Sequence, residues 1–171
     1  MQTHRIKLIN CTPTLLQKAL EGDRALAEYL GVTVPEIWTE FARGMFEFVL
    51  NQIADTPEDA AWWTYLPIYL PENVLVGTCG YKGPPNAEGM VEIGYEVAED
   101  YRGNHLACEM AKLLIGNALA HPEVKVIYAQ TLNEHNASTK VLEKCGFKFV
   151  KEVIDPTDGP IWLWQIDRAK P

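Results

Sequence analysis

The sequence of 171 residues has a single serine, Ser138, and contains neither a G-x-G-x-x-G nor a G-x-x-x-x-G-K-[ST] segment. The G-x-S-x-G elbow of a serine hydrolase is therefore missing. Folds that bind NAD or ATP are disfavoured for want of their glycine motifs. Pro, Gly or a charge also interrupts every apolar run before it could span a bilayer, and the first residues lack the apolar core of a secretory signal. We therefore expect a cytoplasmic protein without a membrane partner.

Positive charge is also scarce, because 15 Lys and Arg stand against 23 Asp and Glu, for a formal net charge of −8. Nucleic acids and anionic lipids bind proteins mainly through Lys and Arg, so we expect neither as a partner. A cationic partner such as an amine is mildly favoured. The 4 cysteines include no C-x-x-C pair, and no histidine stands at metal-ligand spacing. We therefore expect reduced thiols and no metal.

The order of apolar patterns predicts an α+β fold in one domain over residues 1–171, because no linker-like segment divides the chain. A helix at 104–119 lies between strands at 91–97 and 124–131, which requires a right-handed crossover and one parallel pair. The remaining strands are predicted at 5–9, 62–70, 74–81, 147–153 and 161–166. Gly77 and Gly80 inside one strand predict a bulge or a close approach by another element.

Helix signals mark the N-terminal half. Thr12 and Pro13 predict the start of a first helix, and Thr33 with Glu36 has the spacing of a capping box at the start of another. Apolar residues then recur at helical spacing and predict a buried face, although an aromatic stripe could instead line a ligand pocket. These residues are Trp38, Phe41, Met45, Phe48, Val49 and Ile53.

The segment VEIGYEVAEDYRGNHLA, residues 91–107, reads as a strand that enters a glycine-containing loop and then a helix. This layout aims backbone N–H groups at an anionic ligand. Alone it is weakly specific, because such turns also occur in proteins that bind nothing there. The segment AQTLNEHNASTKVLEKCGF, residues 129–147, adds a strand and a helix capped by Asn136.

Together, these segments resemble the GNAT superfamily of N-acetyltransferases, especially the branch of the ribosomal-protein alanine N-acetyltransferases. The resemblance covers most of the C-terminal half, whereas the N-terminal half agrees only in element order. It implies the GNAT fold: a mixed, mostly antiparallel sheet of about six to seven strands with helices on both faces. It also implies transfer of an acetyl group from acetyl-coenzyme A (acetyl-CoA) to an amine that attacks the thioester directly.

The resemblance further implies how coenzyme A (CoA) is bound. Backbone N–H and C=O groups of the strand would bind the amides of the pantetheine arm, and the loop amides with the positive helix end would hold the diphosphate. The positions that match the cofactor-binding pattern are Tyr95, Glu96, Val97, Arg102, Gly103, Asn104, His105, Leu106, Ala107, Asn133 and Asn136.

Two positions depart from the family pattern. The family loop reads Gln/Arg-x-x-Gly-x-Gly/Ala, and His105 occupies the central glycine, where its ring either contacts a phosphate or narrows the site. Gly103 could supply the missing flexibility. Leu142 stands where the family often has a tyrosine that protonates the departing thiolate. These departures support a second hypothesis, a domain that binds CoA as a sensor or interaction module without turnover.

Two residues are candidates for catalysis. Glu92 resembles the strand glutamate that deprotonates the amine through water, and its alternative role is that of a surface carboxylate. Ser138 matches a serine that, in the ribosomal-protein branch, protonates the thiolate. The alternative for Ser138 is a hydroxyl that bonds the backbone at a helix N-terminus, and Asn136 could likewise serve only as a helix cap.

The acceptor is expected to be an amine on a small molecule or at a protein N-terminus. The chain is expected to be a monomer or a homodimer. The strand IWLWQI, residues 161–166, could pair with a second copy if it lies at a sheet edge.

Overall fold

The structure is a computed structural model that describes residues 1–40 and 42–168. It consists of helices and strands joined by short connections. In chain order these are β1 (Ile6–Asn10), α1 (Pro13–Glu21), α2 (Asp23–Leu30), α3 (Ala42–Gln52), β2 (Thr64–Tyr69), β3 (Val74–Leu75), β4 (Gly77–Tyr81), β5 (Met90–Val97), α4 (Leu106–Ala120), β6 (Val126–Leu132), α5 (Ala137–Lys144), β7 (Lys148–Asp155) and β8 (Gly159–Asp167). None of the helices among the described residues is both long and apolar enough to cross a membrane.

The strands form one open, mixed sheet in the order β1-β2-β4-β5-β6-β8-β7, with β3 paired to β2. The parallel pair is β5 with β6, joined by α4, as the crossover argument predicts. The predicted mixed α/β architecture is confirmed, with eight strands rather than six or seven. One extra strand arises because the segment predicted as 74–81 breaks at Val76 into β3 and β4.

Apolar residues cover both faces of the sheet. On one face, Met110 and Leu114 of α4 are fully buried against Val91 and Ile93 of β5 and their neighbours. On the other face, α1, α2 and α3 bury a second cluster that includes Leu16, Leu26 and Phe46 against β2. The sheet therefore separates two cores, and β5 lies between them.

The start of α1 agrees with its sequence signal, since the Thr12 hydroxyl accepts a hydrogen bond from the Leu15 N–H at 3.3 Å and Pro13 is the first helical residue. The helix predicted from Thr33 exists as α3, but its predicted start is wrong, because α3 begins at Ala42. Thr33 instead forms a bridge to Val74, and its C=O accepts the Leu75 N–H at 2.9 Å. A tertiary strand contact thus outweighs a local capping pattern.

The helical stripe of the following segment is only partly buried. Trp38 precedes α3, which begins at Ala42, but its ring still stacks on Phe46 at 6.0 Å between centroids. Phe48 is 53% exposed, although the stripe predicted its burial. Phe41 lies outside the described residues.

The strand IWLWQI belongs to β8, which lies between β6 and β7 rather than at an edge of the sheet. Its backbone groups are therefore paired on both sides within the chain. The predicted pairing of this strand with a second copy does not apply, because the edge strand at this end is β7.

The two strand glycines allow close approach of neighbouring backbone, as predicted. A Cβ atom on Gly77 would lie 2.1 Å from the carbonyl oxygen of Glu96, and one on Gly80 would lie 2.1 Å from that of Trp63. Both glycines have positive φ, at 141° and 155°. They let β4 fit between β2 and β5, which positions β5 for the site described below.

We expect Gly80→Ala to lower the free energy of unfolding by more than about 2 kcal/mol, because the added methyl group overlaps the carbonyl oxygen of Trp63. The matched control is Gly94→Ala on β5, where a Cβ atom meets no other atom within 4 Å. That variant should change the free energy of unfolding by less than about 1 kcal/mol. Chemical denaturation measures both, and equal losses would contradict the close approach.

Candidate active site

The site begins where β5 and β6 separate. Their pairing covers Met90 to Glu92 opposite Val126 to Tyr128 and then stops. Beyond that point β6 continues to pair with β8, whereas β5 continues to pair with β4. The C-terminal half of β5 therefore has no partner on the β6 side, and a V-shaped opening lies between the two strands.

Hydrogen bonds to β4 establish which backbone groups of β5 face this opening. The Lys82 N–H donates to the Glu92 C=O at 3.1 Å, and the Ala98 N–H donates to the Val76 C=O at 2.9 Å. Hydrogen-bonded positions alternate along an antiparallel pair. Tyr95 and Val97 consequently direct their N–H and C=O groups into the opening, where β6 offers them no partner.

The loop after β5 presents a row of free backbone donors. Among the described residues, none accepts a hydrogen bond from the N–H groups of residues 103–107. Gly103 and His105 have positive φ, at 80° and 63°, which turns successive N–H groups toward the same side. The row continues into the first turn of α4, whose dipole adds positive potential. The loop is therefore suited to bind an anion.

His105 adopts the left-handed conformation that glycine would adopt at this position. Its φ is 63° and its ψ is 11°. His105, at the central glycine of the sequence pattern, therefore has a backbone conformation that glycine adopts readily. Left-handed φ costs a residue with a Cβ atom about 1–2 kcal/mol, which the surrounding contacts must offset. The exposed His105 side chain makes no capping bond.

A side-chain network from the N-terminal segment supports the loop. The Arg5 guanidinium donates to the Asn104 C=O at 3.2 Å and also forms an ion pair with Glu109 of α4. The Thr3 hydroxyl donates to Glu109 at 2.6 Å. Burial would raise the pKa of Glu109, but these hydrogen bonds and the Arg5 charge outweigh it and lower the pKa. The acidic residue in the first turn of α4 is thus paired within the chain.

Arg102 connects the loop to the strand and to the segment before α3. Its Nε–H donates to the Val97 C=O at 2.9 Å, and its guanidinium lies 3.4 Å from the Glu40 carboxylate. The Val97 carbonyl is therefore already occupied, which leaves its N–H and both groups of Tyr95 for a ligand. The family resemblance implies that both backbone groups of Val97 bind the coenzyme, whereas in the structure its C=O accepts a hydrogen bond from Arg102.

A cavity of ≈ 520 Å³ adjoins the opening. Its walls come from β4, β5, β6, the start of α5 and the turn between β7 and β8. Both predicted catalytic residues, Glu92 and Ser138, line it, together with Tyr95 and Glu96. The structure therefore brings these two residues, which lie far apart in sequence, into one pocket.

Glu92 is a buried carboxylate rather than a surface one, with 9% of its side chain exposed. One of its oxygens pairs with the Nζ of Lys82, which is 60% exposed and lines the same cavity. Tyr128 of β6 lies on the other side. Burial raises the pKa of Tyr128, and the charge and hydrogen bond of Glu92 raise it further. Glu92 therefore offers a negative charge at the floor of the cavity.

Ser138 lies in the first turn of α5. Its N–H donates to the Asn136 side chain at 2.9 Å, and its C=O accepts the Tyr95 hydroxyl at 3.2 Å. The Ser138 hydroxyl itself has no hydrogen-bond partner among the described residues, so the alternative of a hydroxyl that bonds the backbone is not what the structure contains. Thr139, the next residue, fills that role in a capping box with Asn136.

Three residues predicted to bind the cofactor either make contacts within the chain or lie outside the cavity. Asn136 uses its side chain to cap α5, accepting the N–H groups of Ser138 and Thr139. Glu96 directs its backbone toward β4, and its carboxylate accepts the Thr39 hydroxyl and the Glu40 N–H, each at 2.7 Å. Asn133 is exposed in the loop before α5 and does not line the cavity.

Sequence reasoning missed Lys82 and Asp158. Lys82 follows β4 directly, so the register of the β4–β5 hairpin, once counted, would have placed it opposite Glu92. Asp158 reaches the cavity from the turn between β7 and β8, a long-range placement without a local sequence signal. No group of metal-ligating side chains occurs in the part of the chain that the structure describes.

Comparison with known proteins identifies the class. A family model described as an acetyltransferase (GNAT) domain matches residues 8–148. The chain therefore belongs to the GNAT family of acetyltransferases, as its strand, loop and cavity indicate.

Individual relatives agree with this assignment. An uncharacterized N-acetyltransferase of Bacillus subtilis, YjdG, is 28% identical over 151 residues, which cover 86% of this chain and 88% of that protein. The ribosomal-protein-S5-alanine acetyltransferase of Vibrio fischeri has a similar fold, with a TM-score of 0.71 at 13% identity over 98% of this chain and 95% of that one. This similarity to a ribosomal-protein acetyltransferase concerns the fold.

A third relative was solved with a ligand. The microcin C7 self-immunity acetyltransferase MccE, in complex with acetyl-CoA and AMP, has a TM-score of 0.67 at 10% identity over 97% of this chain and 94% of that one. At this identity the similarity concerns the fold alone.

The left-handed conformation of His105 leads to a prediction. His105→Gly should raise the free energy of unfolding by up to about 1 kcal/mol, because glycine adopts positive φ without a Cβ clash. His105→Val should lower it by about 1–2 kcal/mol, because β-branched residues tolerate this conformation worst. Chemical denaturation of both variants measures the difference. A valine variant as stable as the glycine variant would contradict the assigned backbone conformation.

Proposed function

We propose that this protein transfers the acetyl group of acetyl-CoA to a primary amine by direct attack within a ternary complex. The observation that carries the proposal is the separation of β5 from β6 beside a row of free loop N–H groups, with Glu92 and the unbonded Ser138 hydroxyl in the adjoining cavity. These features supply a binding groove, an anion site, a base and an acid in one place.

The coenzyme fits the groove by its chemistry. Its pantetheine amides match the unpaired N–H and C=O groups of Tyr95 and the N–H of Val97. Its diphosphate matches the free N–H groups of residues 103–107 and the positive end of α4. The exposed Asn133 and His105 side chains lie in the flanking loops, where they can contact the nucleotide portion. The acetyl-CoA complex of the relative MccE supports this assignment.

Glu92 is proposed to take the proton of the amine, because it is a buried carboxylate on the cavity floor. An α-amine of pKa about 8 costs about 1.4 kcal/mol to deprotonate at pH 7, whereas a lysine amine of pKa about 10.4 costs nearly 5 kcal/mol. A base within the cavity therefore matters most for acceptors of high pKa. Glu92, Glu96 and Asp158 also make the walls attractive to a cationic acceptor.

Ser138 is proposed to return a proton to the departing thiolate, because its hydroxyl is unbonded and lines the cavity. Cys79 is the cysteine among the cavity residues, and burial raises the pKa of its thiol, so it stays protonated and is a poor acyl carrier. This environment favours direct attack over a covalent acetyl-enzyme. Burial also raises the pKa of Tyr95, so its hydroxyl keeps the proton that it donates to the Ser138 carbonyl.

We expect free thiol to appear when the protein, acetyl-CoA and a panel of amines are mixed. Glu92→Gln should lower kcat by about 100-fold or more, because a general base contributes that much or more, while acetyl-CoA still binds. The control is Glu88→Gln, an exposed carboxylate before β5, which should leave the rate unchanged. A thermal shift with acetyl-CoA but no thiol with any amine would instead support a binding module without turnover.

A second pair of variants tests the acid. Ser138→Ala should lower kcat by about tenfold or more, yet change the free energy of unfolding by less than about 0.5 kcal/mol, because its hydroxyl bonds none of the described residues. Thr139→Ala should lower the free energy of unfolding by about 1–2 kcal/mol, because it breaks the capping box of the buried Thr139. Equal kcat for Ser138→Ala and the native protein would exclude the proposed acid.

A further inference from the structure

We propose that Lys82 is an internal acceptor, which the protein acetylates on itself when no amine substrate is present. This inference rests on the proposed function, since it uses the same acetyl donor and the same base. It adds a modification site within the cavity, carried by a residue that has no role in the mechanism above.

Lys82 lies beside the proposed base. It follows β4 directly and is opposite Glu92 of β5, where its N–H donates to the Glu92 C=O, so the two side chains leave the same face of the sheet. The Lys82 Nζ contacts a Glu92 oxygen, and both side chains line the cavity with Ser138. An external amine that uses the same Glu92 oxygen as its base would place its nitrogen where the Lys82 nitrogen now lies. Lys82 therefore competes with an external acceptor for that oxygen.

Charge and exposure also support this inference. The Lys82 side chain is 60% exposed, so its ion pair with Glu92 does not close it off from the cavity or from solvent. Asp158 of the β7–β8 turn lines the same cavity as Lys82. Hydrogen bonds from the Asp158 and Thr157 N–H groups lower the pKa of Asp155, and the Lys82 charge lowers it further.

The transfer needs acetyl-CoA as its only reactant besides the protein. The Lys82 nitrogen forms a bond to the acetyl carbonyl carbon, and the carbon–sulfur bond of acetyl-CoA breaks with its electron pair going to sulfur. Two protons leave the ammonium nitrogen. One ends on the sulfur by way of the Ser138 hydroxyl, and the other passes to Glu92 and then to solvent. The products are acetyl-Lys82 and CoA.

Acetylation has a local consequence. The amide of acetyl-Lys82 carries no charge, so Glu92 loses its cationic partner while it remains a buried carboxylate. The reaction is self-limiting, since the modified nitrogen no longer reacts. An external amine and Lys82 compete for the same base, so a good substrate should protect Lys82.

The test incubates the full-length protein with acetyl-CoA alone, followed by intact mass measurement and peptide mapping. We expect one acetyl group at Lys82, with an occupancy at least about tenfold above that of Lys18. Lys18 is the matched control, because it is also ion-paired, to Glu21 at 2.7 Å, and it lies on α1 outside the cavity. The rate should not depend on protein concentration, because the transfer is intramolecular.

Two variants sharpen the test. Glu92→Gln should reduce the occupancy at Lys82 to that at Lys18, and Lys82→Arg should remove the adduct while retaining the positive charge beside Glu92. Equal occupancy at Lys82 and Lys18, or an unchanged occupancy in Glu92→Gln, would mean uncatalysed acetylation and would overturn the inference. An added amine that releases thiol should lower the occupancy at Lys82.

The outcomes separate this inference from the proposed function. Thiol release with external amines but no acetyl-Lys82 would overturn the inference and leave the proposed function standing. If no thiol is released and calorimetry detects no binding of acetyl-CoA, both the inference and the proposed function are overturned.

Discussion

The end of hydrogen bonding between β5 and β6 at Glu92 and Tyr128 is the constraint on which the rest of the site depends. Because β6 goes on to pair with β8 and β5 with β4, the two strands are held apart from both sides. Both backbone groups of Tyr95 and the N–H of Val97 therefore find no partner among the described residues, whereas the Val97 C=O accepts Arg102. Unpaired backbone in such a place has a cost, which a ligand with amides of its own can offset.

Close backbone approach holds this geometry in place. Gly77 and Gly80 let β4 run against its neighbours where any Cβ atom would overlap a carbonyl oxygen. His105, by contrast, carries a side chain and yet has backbone angles that favour glycine. The network of Arg5, Thr3 and Glu109 fastens the loop and α4 to the N-terminal segment. Residues of the N-terminal segment, which lie outside the strand–loop–helix motif, thus hold the loop in position.

The electrostatics of the cavity explain how one glutamate can serve several purposes. Glu92 is buried, pairs with Lys82 and lies beside Tyr128, so its charge is used within the chain before any substrate arrives. In the proposed reaction, an incoming amine would replace the Lys82 ammonium beside Glu92 rather than enter an acidic pocket that holds no cation. This exchange limits the penalty of burying a lone carboxylate, which would otherwise be large. In the two proposed reactions, the Lys82 nitrogen and the nitrogen of an external amine therefore compete for Glu92.

Local periodicity and turn residues predicted the crossover and the strand–loop–helix segment at 91–107, and the resemblance of the motifs implied the family and the candidates Glu92 and Ser138. The sequence by itself did not determine the bridge of Thr33 to Val74, the interior position of β8, or the capping roles of Asn136 and Thr139. The pairing of Lys82 with Glu92 and the free hydroxyl of Ser138 were likewise decided by the tertiary structure. These features depend on which distant segment pairs with each backbone group or charge in the folded chain. Local sequence does not encode that pairing.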